Sequence, residues 1–233
     1  MTESTQPGIV VAIDGESGSG KSSTSKGVAS RLGMRYLDTG AMYRAVTWWI
    51  LRHGVDPADP QAVAEHAAAA AIELGTDPAH PTIAVSGTDV SVAIRSSEVN
   101  AAVSPVSAVP EVRAMLVGRQ RSVIAEAAAT GPGIVVEGRD IGSVVAPDAA
   151  VKVYLSADPT ARAERRAAEE GGSDVAATQE SLLNRDRIDS TRAASPLVLA
   201  EGALALDTTS YTLDEVIDQV VAMVTAARDR IGA

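Results

Sequence analysis

The sequence of 233 residues contains no cysteine. Disulfide bonds and metal sites built on thiolates are therefore excluded. No apolar run approaches the roughly 20 residues that a membrane-spanning helix requires, so we expect no membrane partner. The polar residues 1–8 lack the positively charged segment and apolar core of a signal peptide. We predict a disordered N-terminal tail over these residues and a cytoplasmic protein.

Lysine is also scarce, and the chain is acidic overall. Only Lys21, Lys26 and Lys152 are lysines among the 20 basic residues, and the formal net charge is −10. Such a charge argues against a nucleic-acid polymer as the main partner. The excess of arginine suits planar, bidentate recognition of phosphate and carboxylate, and it fits the composition of an alanine-rich chain equally well.

One short segment predicts a nucleotide site. Residues 15–22 read Gly-Glu-Ser-Gly-Ser-Gly-Lys-Ser, a complete G-x-x-x-x-G-K-[ST] phosphate-binding loop, or P-loop. The apolar run 9–13 before it indicates a buried strand, and residues 22–32 indicate the helix that this loop requires. Glycines let backbone N–H groups turn toward phosphate oxygens, and the helix adds its positive N-terminal end. We predict that Lys21 reaches the β- and γ-phosphates of ATP and that Ser22 ligates Mg²⁺.

The rest of the chain alternates between strands and helices, which is typical of an α/β fold. Further strands are predicted at 35–37, 134–136, 151–155 and 203–207. Helices are predicted at 41–53, 61–74, 110–129, 179–191 and 212–231, with one more opened by Asp158-Pro159 and broken at 171–174. Apolar runs on both sides of Ser86-Gly87-Thr88-Asp89 predict a hairpin over 82–95. A hairpin inside a βα series indicates an inserted antiparallel subdomain.

A P-loop alone leaves the reaction open among ATPases, GTPases and small-molecule kinases. The guanine-reading segment Asn-Lys-x-Asp of GTPases is absent from the sequence. A motor ATPase would normally carry an apolar strand that ends in a single aspartate, the Walker-B residue. The best candidate for such a strand is 134–136, and it ends in Glu137-Gly138-Arg139-Asp140 instead. The short chain, its arginines and its small insert favour a small-molecule kinase.

Three distant segments make a family resemblance specific. They are Leu-Asp-Thr-Gly-Ala-Met-Tyr-Arg at 37–44, Glu-Gly-Arg-Asp-Ile-Gly at 137–142 and Arg-Asp-x-x-Asp-Ser-Thr-Arg-x-x-Ser-Pro-Leu at 185–197. Together they resemble bacterial cytidylate kinase, a nucleoside monophosphate kinase, over nearly the whole chain. The sequence departs from the commoner family pattern at Thr39, where serine is frequent, and at Glu137, where aspartate is frequent, but both keep the functional group.

The resemblance implies a three-layer P-loop fold with a five-stranded parallel sheet, a small antiparallel sheet inserted in the monophosphate-binding region, and an arginine-bearing lid. It implies one kinase domain over 9–233, with a core at 9–38, 108–160 and 176–233, a monophosphate-binding region at 39–107 and a lid at 161–175. The implied activity is phosphoryl transfer from ATP, with Mg²⁺, to CMP and dCMP by a monomeric enzyme. Two alternatives stay open: a kinase for UMP or AMP, and a non-catalytic ATP-binding switch.

The resemblance also assigns site residues. The ATP-binding residues are Gly15, Glu16, Ser17, Gly18, Ser19, Gly20, Lys21, Ser22 and Ser23. The substrate-binding residues are Thr39, with Arg44, Arg139 and Arg192 on the acceptor phosphate, Ser104, Arg113 and Asp140 on the base, and Arg185 and Asp189 at the sugar. The catalytic residues are Lys21, Arg139, Arg162 and Arg166. Taken alone, Arg44 and Arg113 also fit solvated helix faces, Ser104 fits a turn before Pro105, and Arg185 with Asp189 fits a surface ion pair.

Overall fold

The computed structural model describes residues 8–169, 171–192 and 194–232. Residues 1–7 of the predicted tail lie outside the described residues. The strands are β1 (Ile9–Gly15), β2 (Arg35–Asp38), β3 (Ile72–Leu74), β4 (Ile83–Val85), β5 (Thr88–Asp89), β6 (Gly133–Gly138), β7 (Val151–Ser156) and β8 (Leu204–Asp207). The α-helices are α1 (Lys21–Leu32), α2 (Thr39–Arg52), α3 (Pro60–Ala67), α4 (Ser97–Ala108), α5 (Pro110–Thr130), α6 (Pro159–Glu169), α7 (Val175–Thr191) and α8 (Leu213–Gly232).

A parallel sheet forms the middle layer of the described chain. Its five strands have the order β2-β6-β1-β7-β8, and β1 and β6 are buried almost throughout because helices cover both faces. One face packs with Val28 of α1 and Val220 of α8, and the other packs with Met42 of α2 and Leu116 of α5. The predicted three-layer fold with a five-stranded parallel sheet is therefore confirmed.

The small antiparallel sheet has the strand order β3-β4-β5 and encloses its own apolar cluster. Its first strand corrects the predicted helix 61–74, because α3 ends at Ala67 and residues 72–74 pair with β4 instead. Ile72 lies opposite Val85 and Leu74 opposite Ile83, so alternate apolar residues of β3 pack on the cluster. The alanine-rich run before residue 72 favoured a helix, so the alternation of apolar residues in β3 was not recognised.

Two more differences concern the segment after the hairpin turn. The second hairpin strand lies at residues 88–89, which were predicted as part of the turn, and residues 93–95 form a 3₁₀ turn, so the predicted second strand after residue 89 is wrong. Val92, between the strand and the turn, is 87% exposed. Helix α4 was not predicted, since it contains Pro105; Ser96 caps it by accepting the N–H of Val99 at 3.3 Å.

The chain brings several loops to one edge of the large sheet. Because β1, β2 and β6 run parallel, the P-loop, the start of α2 and the segment Arg139–Asp140 all follow carboxyl ends of neighbouring strands. Helices α6 and α7 pack together beside this edge, and Gly171 and Gly172 between them have φ angles of 81° and 93°. The predicted break of the helix at 171–174 is thus confirmed. No helix in the described part of the chain is long and apolar enough to cross a membrane.

Candidate active site

A cleft of about 490 Å³ opens at the edge where these loops meet. It is bounded by the P-loop and by residues of α2, α4, α5, α6 and α7. The predicted site residues in its wall are Ser17, Gly18, Gly20, Lys21, Ser22, Ser23, Thr39, Arg44, Ser104, Arg113, Arg139, Asp140, Arg166, Arg185, Asp189 and Arg192. Gly15, Glu16, Ser19 and Arg162 belong to the predicted set but do not line this wall.

The P-loop wraps the N-terminus of α1, which begins at Lys21. Gly18 and Gly20 have φ angles of 76° and 86°, a left-handed conformation that side chains other than glycine disfavour. The Lys21 ammonium donates to the carbonyl oxygen of Glu16. Burial, and to a lesser degree the positive charge of Arg139, lower the pKa of Lys21 to about 7, while the charge of Glu137 opposes the shift. The charged form of this buried lysine is therefore disfavoured until an anionic ligand such as a phosphate lies beside it.

A buried carboxylate stands beside the P-loop serine. Ser22 Oγ donates to Oε2 of Glu137 at 2.9 Å, and the Tyr36 hydroxyl donates to the other oxygen of the same carboxylate. Burial, and to a lesser degree the charge of Asp38, raise the pKa of Glu137 to about 7. Hydroxyl and carboxylate oxygens are the hard ligands that Mg²⁺ prefers, so the donor set beside Ser22 fits the predicted ion.

The opposite part of the cleft holds a second buried pair. Arg113 on α5 donates to Asp140, which follows β6, and both side chains are 5% exposed. Nη2 of Arg192 lies 3.8 Å from the other oxygen of Asp140, and the ring of Tyr43 stacks on the Arg113 guanidinium at 5.3 Å. Ser104 lies inside α4 and lines the cleft. The simpler interpretations of Ser104 as a turn residue and of Arg113 as a solvated side chain are wrong.

Arginines converge between these two ends. Arg44 donates to Oδ1 of Asn100 at 2.6 Å and to the carbonyl of Ile94 at 3.1 Å. Burial lowers its pKa to about 9, and Arg185 adds a like charge. Burial likewise lowers the pKa of Arg185 to about 10, with Arg139 as the next cause. Such shifts mark a crowded set of cations, which an anionic ligand would stabilise.

Unsatisfied donors accompany this crowding. Among the described residues, Nε of Arg113, Nε of Arg185 and Nη2 of Arg192 are buried without a hydrogen-bond partner. Buried donors of this kind are costly unless a ligand or water accepts from them. The Arg139 guanidinium links the two ends, since it donates to Oδ2 of Asp189 at 2.9 Å and to Oγ of Ser17 at 2.6 Å.

The predicted lid arginines take two positions, since Arg165 and Arg166 line the cleft and Arg162 lies behind the P-loop. Arg166 lines the cleft and pairs with Glu169 at 3.3 Å. Arg165 donates to the carbonyl of Thr208 at 2.8 Å. Arg162 is 2% exposed behind the P-loop, where it donates to the carbonyl of Ser17 at 2.9 Å.

Sequence reasoning missed three polar groups around the site. Tyr36 was treated only as part of a strand, yet it donates to Glu137. Asp14 is 4% exposed and accepts the N–H groups of Ile141 and Gly142 at 2.8 and 2.7 Å. Asp186 accepts the N–H of Ser17 at 2.8 Å. Only Asp186 had a usable signal, because it lies three residues before Asp189 and hence close to it on the helix surface.

The parallel sheet, the P-loop and the arginine-lined cleft define a P-loop kinase. A solved gluconokinase from Sinorhizobium meliloti 1021 shares this fold, with a TM-score of 0.50 at 15% identity over 97% of both chains. The family model for cytidylate kinase matches residues 11–226. A cytidylate kinase from Streptomyces griseus is 56% identical over 226 residues, covering 97% of this chain and 96% of its own length. One from Nocardia farcinica is 52% identical over 224 residues, covering 94% of both. The chain belongs to the cytidylate kinase family.

Proposed function

We propose that this protein transfers the γ-phosphoryl group of ATP to CMP and dCMP, giving CDP and dCDP with ADP. An oxygen of the acceptor phosphate bonds to the γ-phosphorus, the bond to the β–γ bridging oxygen breaks, and its electron pair leaves with ADP. The observation that supports a cytosine acceptor is the buried pair of Arg113 and Asp140 in the cleft wall. Membership of the cytidylate kinase family supports the same acceptor.

On the donor side, the residues 15–23 would hold the ATP phosphates. Lys21 would neutralise the charge that develops on the transferring group, since its ammonium lies at the buried start of α1. Ser22 and Glu137 would hold Mg²⁺, directly or through its waters. When bound, the ion supplies charge neutralisation to the β- and γ-phosphates.

On the acceptor side, Arg44, Arg139 and Arg192 would hold the monophosphate, and the unsatisfied donor of Arg192 is consistent with that role. Asp140 would accept from the exocyclic amine of cytosine, and Arg113 would donate to its ring nitrogen and carbonyl. Ser104 would also contact the base. Thr39, at the start of α2, would contact the acceptor nucleotide as well, and Arg185 and Asp189 would contact its sugar. Polar groups fixed in this way reject a base whose hydrogen-bond donors and acceptors are exchanged.

The proposed catalytic residues in the cleft are Lys21, Arg139 and Arg166. Arg139 contacts both the P-loop and Asp189. It is therefore placed to stabilise the negative charge of the phosphoryl group that passes between the two nucleotides. A catalytic Arg162 stays a prediction, because its polar contacts in this conformation lie behind the P-loop. The proposal includes a monomeric cytoplasmic enzyme that acts on small molecules, in keeping with the net charge of −10.

The test is ADP formation from Mg·ATP with CMP, dCMP, UMP and AMP supplied one at a time. We expect rapid turnover with CMP and dCMP, and a kcat/KM for UMP at least about tenfold lower. Faster turnover with UMP or AMP would identify a kinase for that base instead. Tight ATP binding without any turnover would favour the ATP-binding switch.

A further inference from the structure

Asp186 on α7 holds the P-loop from outside the cleft wall. Its Oδ1 accepts the backbone N–H of Ser17 at 2.8 Å, and its Oδ2 accepts from Nη1 of Arg162. The carboxylate is largely buried, with 13% of the side chain exposed. It belongs to the motif at 185–197, where neither the predicted substrate contacts nor the proposed catalysis gives it a role.

Arg162 holds the same P-loop residue by its other backbone group. Nη1 of Arg162 donates to the carbonyl of Ser17 at 2.9 Å, and its Nε donates to the carbonyl of Ala157 at 3.1 Å. Both the N–H and the carbonyl of Ser17 are thus fixed by side chains of α6 and α7. Gly18 follows at once, and a Cβ added there would lie 3.3 Å from Arg162 Cβ and from Leu182.

The next acidic residue of α7 serves the other side of the site. Asp189 lies 2.9 Å from Nε of Arg139 and 3.6 Å from Nη1 of Arg192. Two aspartates three residues apart on one helix therefore contact different groups. One contacts the P-loop backbone, and the other contacts the arginines of the proposed acceptor site.

We propose that Asp186 and Arg162 are positioning residues that fix Ser17, so that the P-loop is presented to the ATP phosphates in one conformation. A carboxylate can accept from Ser17 and Arg162 at the same time, whereas an asparagine offers one acceptor oxygen and turns an N–H₂ group toward the other donor. The proposal rests on the proposed function only in taking ATP as the ligand of the P-loop.

The first test compares Asp186→Asn with Asp189→Asn and with Glu180→Gln, an exposed acid on the same helix. Titration calorimetry would measure the Kd of a non-hydrolysable ATP analogue and, separately, of CMP, with circular dichroism as the check of folding. We expect Asp186→Asn to weaken the ATP analogue about tenfold or more while CMP affinity changes less than about threefold. Asp189→Asn should weaken CMP binding and leave the Kd of the ATP analogue nearly unchanged. Glu180→Gln should change neither Kd.

The second test is a double-mutant cycle on kcat with Arg162→Gln. If the two side chains act together on Ser17, the double variant should lose no more than the worse single variant. A fall in kcat of the double variant that equals the product of the two single falls would overturn the proposal. It would support direct contact of Arg162 with the transferring group. If Asp186→Asn fails to fold, Arg162→Lys replaces it, because lysine keeps the charge but not the guanidinium fork.

Other results separate this proposal from the proposed function. Equal weakening of both ligands by Asp186→Asn, or unchanged ATP binding, would overturn the positioning role even if the wild type phosphorylates CMP. Weakened ATP binding in a protein that phosphorylates no monophosphate would leave the positioning role standing and reject the kinase activity.

Discussion

Arg113 donates through Nη2 to Oδ2 of Asp140 in the cleft wall, and each side chain is only 5% exposed. A buried ion pair contributes little net stability by itself, because desolvation offsets much of its attraction. The second oxygen of Asp140 lies 3.8 Å from Arg192, so the carboxylate is held from two sides. This rigidity is what a group that reads hydrogen-bond donors on a base requires.

Asp140→Ala should remove most of the preference for CMP over UMP. Uracil offers a carbonyl where cytosine has its amine, and a carboxylate facing that carbonyl is repulsive. The loss in kcat/KM should therefore be at least about tenfold for CMP and clearly smaller for UMP. Asp148→Ala, at an exposed aspartate, is the matched control. An equal fall for both substrates would show that Asp140 does not read the base.

Lys21→Ala should lower kcat on the order of 100-fold or more, since the transferring group loses its positioned cation. The rate is measured at saturating ATP and CMP, with a thermal melt to verify folding. Lys152→Ala controls for the loss of a lysine outside the cleft, where the ammonium donates to the carbonyl of Glu201. Turnover near that of the wild type in folded Lys21→Ala would exclude Lys21 from the donor site.

Arg44→Ala should weaken CMP binding while ATP binding changes little. Removing a charged hydrogen-bond donor from a buried phosphate costs about 2–4 kcal/mol, which corresponds to a rise in the Kd for CMP of roughly 30-fold or more. Arg52→Ala, an exposed arginine on the same helix, is the control. Arg139→Ala and Arg192→Ala should behave like Arg44→Ala, and an equal fall in ATP affinity in all three variants would place these arginines on the donor nucleotide.

Asp14 should give the folding stability a distinct pH dependence. Burial, with a smaller contribution from the charge of Asp140, raises its pKa from 3.8 to about 6, while the N–H groups of Gly142 and Ile141 oppose the shift. Between these values the unfolded chain loses the proton first, so ionisation favours unfolding as the pH rises. Below pH 3.8 both states are protonated, and well above pH 6 both are ionised, so the contribution is constant there.

The measurement for Asp14 is the difference in unfolding free energy between the wild type and Asp14→Asn from pH 4 to pH 7.5. The wild type should lose stability relative to the variant as the pH rises to about 6, by up to about 3 kcal/mol, and the difference should then level off. A difference that does not vary with pH would mean that Asp14 titrates alike in both states.

The sequence predicted the nucleotide loop and the parallel sheet because both depend on local patterns. The run 15–22 needs fixed residue types, and buried strands such as β6 are continuous apolar runs. The segment 72–74 was misassigned, because an alanine-rich helix and a short alternating strand overlap in the same letters. Helix α4 was missed, since Pro105 reads as a helix breaker although it lies inside the helix.

The sequence predicted many of the residues that line the cleft but not the contacts between their side chains. The P-loop and the segments at 37–44, 137–142 and 185–197 together supplied most of the wall. That Glu137 binds Tyr36, or that Asp186 holds Ser17, depends on which strands and helices meet across more than 100 positions of sequence. Spacing along α7 places Asp186 near Asp189, but it does not reveal the partner of either side chain. The contact of Arg162 with Ser17 behind the P-loop was unpredictable for the same reason.

The most direct test of the proposed activity is the stoichiometry of CDP formation from CMP and Mg·ATP, followed by anion-exchange chromatography. We expect one CDP for each ADP formed, no ADP without an acceptor, and no reaction in excess chelator, because the phosphates require the metal. ADP released without CDP, or CDP formed at an unchanged rate in excess chelator, would contradict a Mg·ATP-dependent cytidylate kinase.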